Sequence, residues 1–218
     1  MVPASLRPPF VDPALYAPAG ESVFDSGRLQ FHALLAKGRP EIALRPARPG
    51  DSEALQNYVR ALSPESRYNR FLGVVNELPA SELARALAAN GRDTLTLLLT
   101  STSDERDEIV GEARVALSCA ERAGEFSLSI ADGWRRRGLG SALHEAIERK
   151  AAADGIERLF GDVLRTNDAM IAFALGRGFR LAAGFEPRLA RIEKRLEAAP
   201  DLPCRKWAEI AGAEIGAA

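Results

Sequence analysis

The sequence predicts an α+β fold: one mixed, mostly antiparallel central sheet with helices on its faces, in three layers. Two observations predict it. Hydropathy alternation and helix breakers parse the chain as β-α-α-α, then three meandering strands, then α-β-α-β-β. Meandering strands followed by alternating helices and strands fold as a mixed sheet covered on both sides. The second observation is residues 125–141, which read strand, glycine-bearing loop, helix N-terminus. Phe126, Leu128 and Ile130 alternate with Glu125, Ser127 and Ser129, and Asp132-Gly133 breaks the strand. Leu139, Leu143, Ala146 and Ile147 then lay out one apolar stripe of an amphipathic helix.

Taken in order, residues 1–40 are rich in proline and glycine and read as an arm, disordered or packed along the domain or a second subunit. Within it, residues 27–37 suit a short strand or helix. The folded domain is placed at 41–197. Residues 42–46 form a short strand that its proline confines to an edge or an end. Asp51 is an N-cap candidate for a helix to Leu62. Ser63-Pro64 restarts a helix with a serine cap and proline at the first helical position. A further helix runs from about Pro79 to Ala89 and stops at Asn90-Gly91. Thr94–Thr100 is an apolar strand, 101–107 a polar turn, and Glu108–Leu117 the next strand, where Gly111 signals a bulge or a close contact. The helix after residue 138 ends at Asp154-Gly155. Leu159–Leu164 is a strand, Thr166 or Asn167 caps a helix to about Arg177, and Gly178 breaks it. Phe179–Ala183 and Leu189–Leu196 are the last strands, and 198–218 is a tail in which Trp207 and Ile210 have helical spacing.

Composition excludes several classes. The 218 residues are 46% hydrophobic and 27% charged, which suits one soluble globular domain with an appendage. A formal net charge of −1 gives no footprint for nucleic acid. Two cysteines and two histidines make neither a disulfide framework nor a metal site, so no metal is expected. No apolar run reaches the ~20 residues of a membrane span, so no membrane contact is expected, and a cytoplasmic location is.

The loop between strand and helix suits a phosphate. The first N–H groups of a helix lack intrahelical partners, and the macrodipole places partial positive charge there. Gly138 and Gly140 let the backbone approach a ligand closely, and Arg135, Arg136 and Arg137 raise the local potential. A tight βα connection with solvated arginines is the alternative reading of the same residues.

Arg135-x-x-Gly138-x-Gly140 resembles the Arg/Gln-x-x-Gly-x-Gly/Ala motif of the GNAT superfamily of acyl-CoA-dependent N-acyltransferases. The element order from about 41 to 197 agrees, and so does the later segment Asn167, Ala169-Met170, Gly178-Phe179. The resemblance implies a GNAT-like sheet with acetyl-CoA as co-substrate in a gap between two splayed strands. Carried onto this chain, it implies that Leu128, Ser129 and Ile130 offer backbone groups to the pantetheine arm, with an N–H near Ile130 polarising the thioester carbonyl. The backbone of Arg136, Arg137, Gly138, Leu139, Gly140 and Ser141 would cradle the pyrophosphate beside Arg135, and Asn167 would bond the cofactor's arm or simply cap its helix.

An acceptor amine must lose a proton before attack, so a base is needed. The resemblance to bacterial protein acetyltransferases points to Glu125, acting through water, with Glu112 in reserve; a solvated glutamate is the plain alternative. Many family members place a tyrosine seven residues after the asparagine to protonate the leaving thiolate, and here that position is Ala174. Residues 62–71, Leu-Ser-Pro-Glu-Ser-Arg-Tyr-Asn-Arg-Phe, resemble a stretch of GNAT domains that acetylate protein lysines, which makes Tyr68 and Arg70 candidates for substrate contact, or packing residues. The expected activity is transfer of an acetyl group to an amine, a protein lysine first and a small-molecule amine second. A non-catalytic acyl-CoA-binding regulatory module is the competing class, and the arm leaves a homodimer open.

Overall fold

The computed structural model of the chain describes residues 29–30, 41–88, 94–103, 106–118, 121–184 and 186–197. Its strands are β1 (Leu29–Gln30), β2 (Glu41–Pro46), β3 (Thr94–Ser103), β4 (Arg106–Ser118), β5 (Ala123–Ile130), β6 (Arg158–Leu164), β7 (Arg180–Ala182) and β8 (Leu189–Arg195). They form one sheet in the order β1-β2-β3-β4-β5-β6-β8-β7. Every neighbouring pair is antiparallel except β5 and β6, which run parallel. The predicted mixed, mostly antiparallel sheet is the one observed.

Helices α1 (Ser52–Ala61), α2 (Pro64–Phe71) and α3 (Ala80–Leu87) cover one face, and α4 (Leu139–Ala153) and α5 (Asp168–Leu175) the other. Each face has its own core. Leu55, Tyr58, Val59, Leu78 and Leu98 pack on the first; Leu97, Leu99, Val115, Phe126, Leu143 and Ile147 on the second. Leu97, Leu98 and Leu99 point to alternate faces and are all nearly inaccessible. A strand covered on both sides takes apolar residues at consecutive positions, which is why 97–99 is an unbroken run of leucine.

Local rules account for most boundaries. Ser63 accepts the N–H of Ser66 and Pro64 opens α2. Asn167 accepts the N–H of Met170 at 3.1 Å. Between β3 and β4 the register slips after Leu99, so that Leu99 faces Gly111 while Thr100 faces Ile109. Val110 is the extra residue; Ile109 packs into one core and Val110 into the other. Gly111 follows it because a Cβ there would stand 2.7 Å from Ile130 Cδ1.

Some details differ from expectation. The turn predicted over 101–107 is shorter, because β3 continues to Ser103 and β4 starts at Arg106. Asp51 stands at the N-cap of α1 without capping it. Its carboxylate instead takes two bonds from buried Arg45 at 2.7 Å and one from the Arg48 N–H. A buried guanidinium needs a counterion, and that demand outranks a cap. Strand β1 shows which of the two forms residues 29–30 adopt. The rest of the arm, the Asn90-Gly91 stop and the tail after 197 lie outside the described residues.

Candidate active site

The site is made by a split in the sheet. Strands β5 and β6 pair at Ala123↔Arg158, Gly124↔Leu159 and Glu125↔Phe160, while β5 runs on to Ile130 and β6 to Leu164. On its other edge β5 stays paired with β4 through Ile130. Where the pairing ends the two strands still approach closely. A Cβ at Gly161, the first β6 residue beyond the pairing, would lie 2.9 Å from the carbonyl oxygen of Phe126, and the Phe126 ring lies against this glycine. The cleft measures about 420 Å³ and is lined along one wall by Phe126 to Ile130 and along the other by Gly161, Asp162 and Val163. Backbone groups of β5 facing the gap lack a strand to bond, and so are free for an extended ligand.

At one end of the cleft stands the N-terminus of α4. Gly138 is its N-cap at φ +82°, and Arg136 two residues earlier has φ +59°. Two left-handed residues turn the chain sharply, and the first N–H groups of α4 have no helical partner. Gly140 and Ser141 line the cleft there. Ser141 is held in place by the Arg177 guanidinium, which also bonds Glu145 at 3.1 Å and stacks over Phe173.

From the other face of the sheet the cleft is walled by α2, which is tied to the loop after β5. Asp132 accepts from the Ser63 N–H at 2.9 Å and from the Ser66 hydroxyl at 2.6 Å. Burial opposes its charge, but the bonds from Ser66 and Ser63 and the nearby Arg135 outweigh this and lower its pKa. Arg135 reaches Ser66 Oγ at 2.7 Å and the Ile130 carbonyl at 3.3 Å. Beneath α2, Arg70 and Arg114 both bond Glu112, which is wholly buried. Desolvation works against the Glu112 charge, yet the two guanidiniums win and hold its pKa below the usual range. Glu112 faces Ser129 across the ladder, and Ser129 Oγ meets the buried Tyr58 hydroxyl at 2.9 Å. Burial pushes the Tyr58 pKa far up, so this phenol stays protonated.

The cleft gathers most of the residues the sequence singled out. Leu128, Ser129, Ile130, Arg135, Arg136 and Gly138 line it, as do Gly140, Ser141, Asn167 and Arg70. Leu139 is buried in the core and is not among the lining residues. Arg137 folds back, bonding the Gly133 carbonyl at 2.9 Å and stacking on Trp134. Tyr68 is 40% exposed on α2. Glu125 is exposed at the closed end of the split, on the same face as Ser127 and Ser129 and within the field of Arg191. Ala174 is packed in the core. Sequence reasoning did not find Asp132, Arg177 or the Tyr58–Ser129 pair. An aspartate placed just after a strand at a loop glycine was the one signal available for the first. Among the described residues no group of three or more His, Cys, Asp and Glu residues could hold a metal ion, and no helix is long and apolar enough to cross a membrane.

Known proteins share this fold. The model of the acetyltransferase (GNAT) family matches residues 65–179, just over half of the 218 residues. An acetyltransferase of Pseudomonas aeruginosa is 26% identical over 138 residues, 63% of this chain and 74% of that protein. Among solved structures, the GNAT domain of S. lividans PAT is 25% identical, with a TM-score of 0.68 over 78% of this chain and 97% of the other. Arabidopsis thaliana NAA60 in complex with acetyl-CoA shares the fold at 16% identity, with a TM-score of 0.58 over 72% of this chain and 99% of the other. With the family model matched over more than half of its length, the chain belongs to the acetyltransferase (GNAT) family, and acetyl-CoA is its co-substrate.

Proposed function

We propose that the protein transfers the acetyl group of acetyl-CoA to the side-chain amine of a protein lysine, in the cytoplasm. The carrying observation is a cleft with two distinct linings. One presents helix N–H groups and the Arg136 charge, suited to a pyrophosphate; the other is a polar wall of Ser66, Asn69, Arg70, Ser127 and Ser129, suited to an acceptor. Support for lysine comes from the likeness to the S. lividans PAT domain and from residues 62–71, which build that wall. A small-molecule amine is the second reading, since the cleft at 420 Å³ would also hold one.

In this reading the β5 backbone at Leu128–Ile130 orients the extended arm of acetyl-CoA, and Asn167 contributes its free amide N–H. A backbone N–H near Ile130 polarises the thioester carbonyl. Glu125 accepts the amine proton through water. Two residues along a strand span about 6.6 Å, so from Glu125 to the level of Ser127 there is room for one bridging water. Glu112 is poorly suited to that task because both its oxygens already accept from arginines. No hydroxyl stands at Ala174, so the thiolate leaves on the strength of its own modest basicity, with a pKa near that of a free thiol, about 8.5.

Glu125→Gln is expected to lower kcat by about 10²-fold or more while acetyl-CoA binding by calorimetry is unchanged. Unaltered turnover would remove Glu125 from the mechanism. Gly161→Val tests the cleft itself. Its Cβ would press on the Phe126 carbonyl oxygen, for which there is no flexible side chain to move aside. Overpacking of this kind costs about 1–3 kcal/mol, and the acetyl-CoA Kd should rise about tenfold as β5 shifts. An unchanged Kd would place the co-substrate elsewhere.

A further inference from the structure

The acids around the acceptor end are neutralised from within the protein. Glu112 lies between Arg70, at 3.1 Å, and Arg114. Asp162 takes two bonds from Arg191 at 2.9 and 2.6 Å. Asp132 is committed to Ser63, Ser66 and Arg135. The cations are less fully matched. Arg70 lines the cleft with its side chain only 8% exposed, gives Nη2 to Glu112, and has a buried Nε with no partner. The Nε of Arg114 is likewise buried and unpartnered. Arg114 has a second carboxylate, Glu82, at 3.8 Å, so among the described residues Arg70 is the guanidinium of this cluster whose one counterion is shared, in a place where water screens poorly. The other polar lining here, Ser66, Asn69, Ser127 and Ser129, is neutral and adds hydrogen bonds without charge.

We propose that the acceptor is an acidic peptide segment: a lysine with an aspartate or glutamate within about two residues, about 7 Å along an extended chain, whose carboxylate docks on Arg70. This rests on the protein-lysine reading above. An incoming carboxylate completes the pairing of Arg70, whose Nε has no partner, and fits the fork of donors that a guanidinium presents. A lysine flanked by arginines meets repulsion from Arg70 and Arg135 instead.

Three lysine peptides of equal length, flanked by aspartate, asparagine or arginine, test it through kcat/KM. The acidic peptide is expected to exceed the neutral one at least tenfold, and the basic one to fall below both. Arg70→Gln should abolish the ranking, with acetyl-CoA titration confirming that the variant is folded. If that variant fails to bind acetyl-CoA, Asn69→Asp on the same wall leaves the Arg70–Glu112 pair intact and should shift the preference toward the basic peptide. Equal turnover of the three peptides, or a ranking that survives the variants, overturns this inference and leaves the lysine reading standing. Turnover of none of the three overturns both.

Discussion

Glu112→Gln is expected to lower the stability of the protein by about 3 kcal/mol, the scale seen when one partner of a buried ion pair is removed. The cost comes from what remains. Arg70, with its side chain 8% exposed, would lose the carboxylate it pairs with, and Arg114, 12% exposed, would keep only Glu82 at 3.8 Å, with little water to screen the two. For a domain of this size each kcal/mol moves Tm by about 2–4 °C, so a fall of roughly 10 °C should appear in a thermal melt. The pH dependence identifies the charge as the cause. The Glu112 pKa lies below its ordinary 4.5 in the folded protein, so its contribution is complete above pH 4.5. It is lost as the pH falls through the folded value. The gap between wild type and variant should therefore be constant from pH 7 to 5 and close in stronger acid. A variant that melts within 2 °C of wild type at pH 7 would show that the cluster contributes nothing net. Replacing Glu112, Arg70 and Arg114 together by Leu and Met should recover much of the loss, since a buried triad is often matched by apolar packing of similar volume.

The period-2 pattern of β5, the doubly apolar run in β3, and the Ser63-Pro64 and Asn167 caps were legible because each is a local rule acting within a few residues. The loop motif at 135–140 was legible for the same reason, and it led to the family. What remained hidden is long-range. Tyr58 and Ser129 are 71 residues apart, Ser63 and Asp132 are 69 apart, and Arg70 and Glu112 are 42 apart. A sequence shows which groups can bond, and only tertiary packing selects the partner. The three consecutive arginines illustrate the limit. As a run they promised one patch of positive charge. In the structure Arg135 turns to Ser66 and the Ile130 carbonyl, Arg137 to Gly133 and Trp134, and Arg136, at positive φ between them, remains on the cleft. Asp51 taught the same point at smaller scale, where a buried arginine from the neighbouring strand claimed a carboxylate that looked like a helix cap.

Mild acid is expected to destabilise the protein through His144, at pH values where most carboxylates are still charged. The ring is 1% exposed and stands among Phe126, Phe173 and Phe179, with centroids 5.9, 5.8 and 5.5 Å away. Neither ring nitrogen has a hydrogen-bond partner. Burial lowers its pKa from 6.5 to about 4; Glu148, 3.5 Å from Nδ1, opposes the shift, and Lys194 and Arg177 add to it. Below pH 6.5 the unfolded chain takes up a proton that the folded protein refuses until about pH 4. Stability therefore falls across that window and is flat above it, by about 3 kcal/mol in all at about 1.4 kcal/mol per unit. Urea unfolding of wild type and His144→Leu from pH 7 to 4 checks this. Their difference should be constant above pH 6.5 and swing toward the variant by about that amount at pH 4; a swing below about 1 kcal/mol would mean the ring is better solvated than its packing indicates. Phe126 and Phe173, which pack against the histidine, also line the cleft. Protonation beneath them should loosen the cleft wall, so acetyl-CoA affinity is expected to fall over the same pH window in the wild type and to hold in His144→Leu.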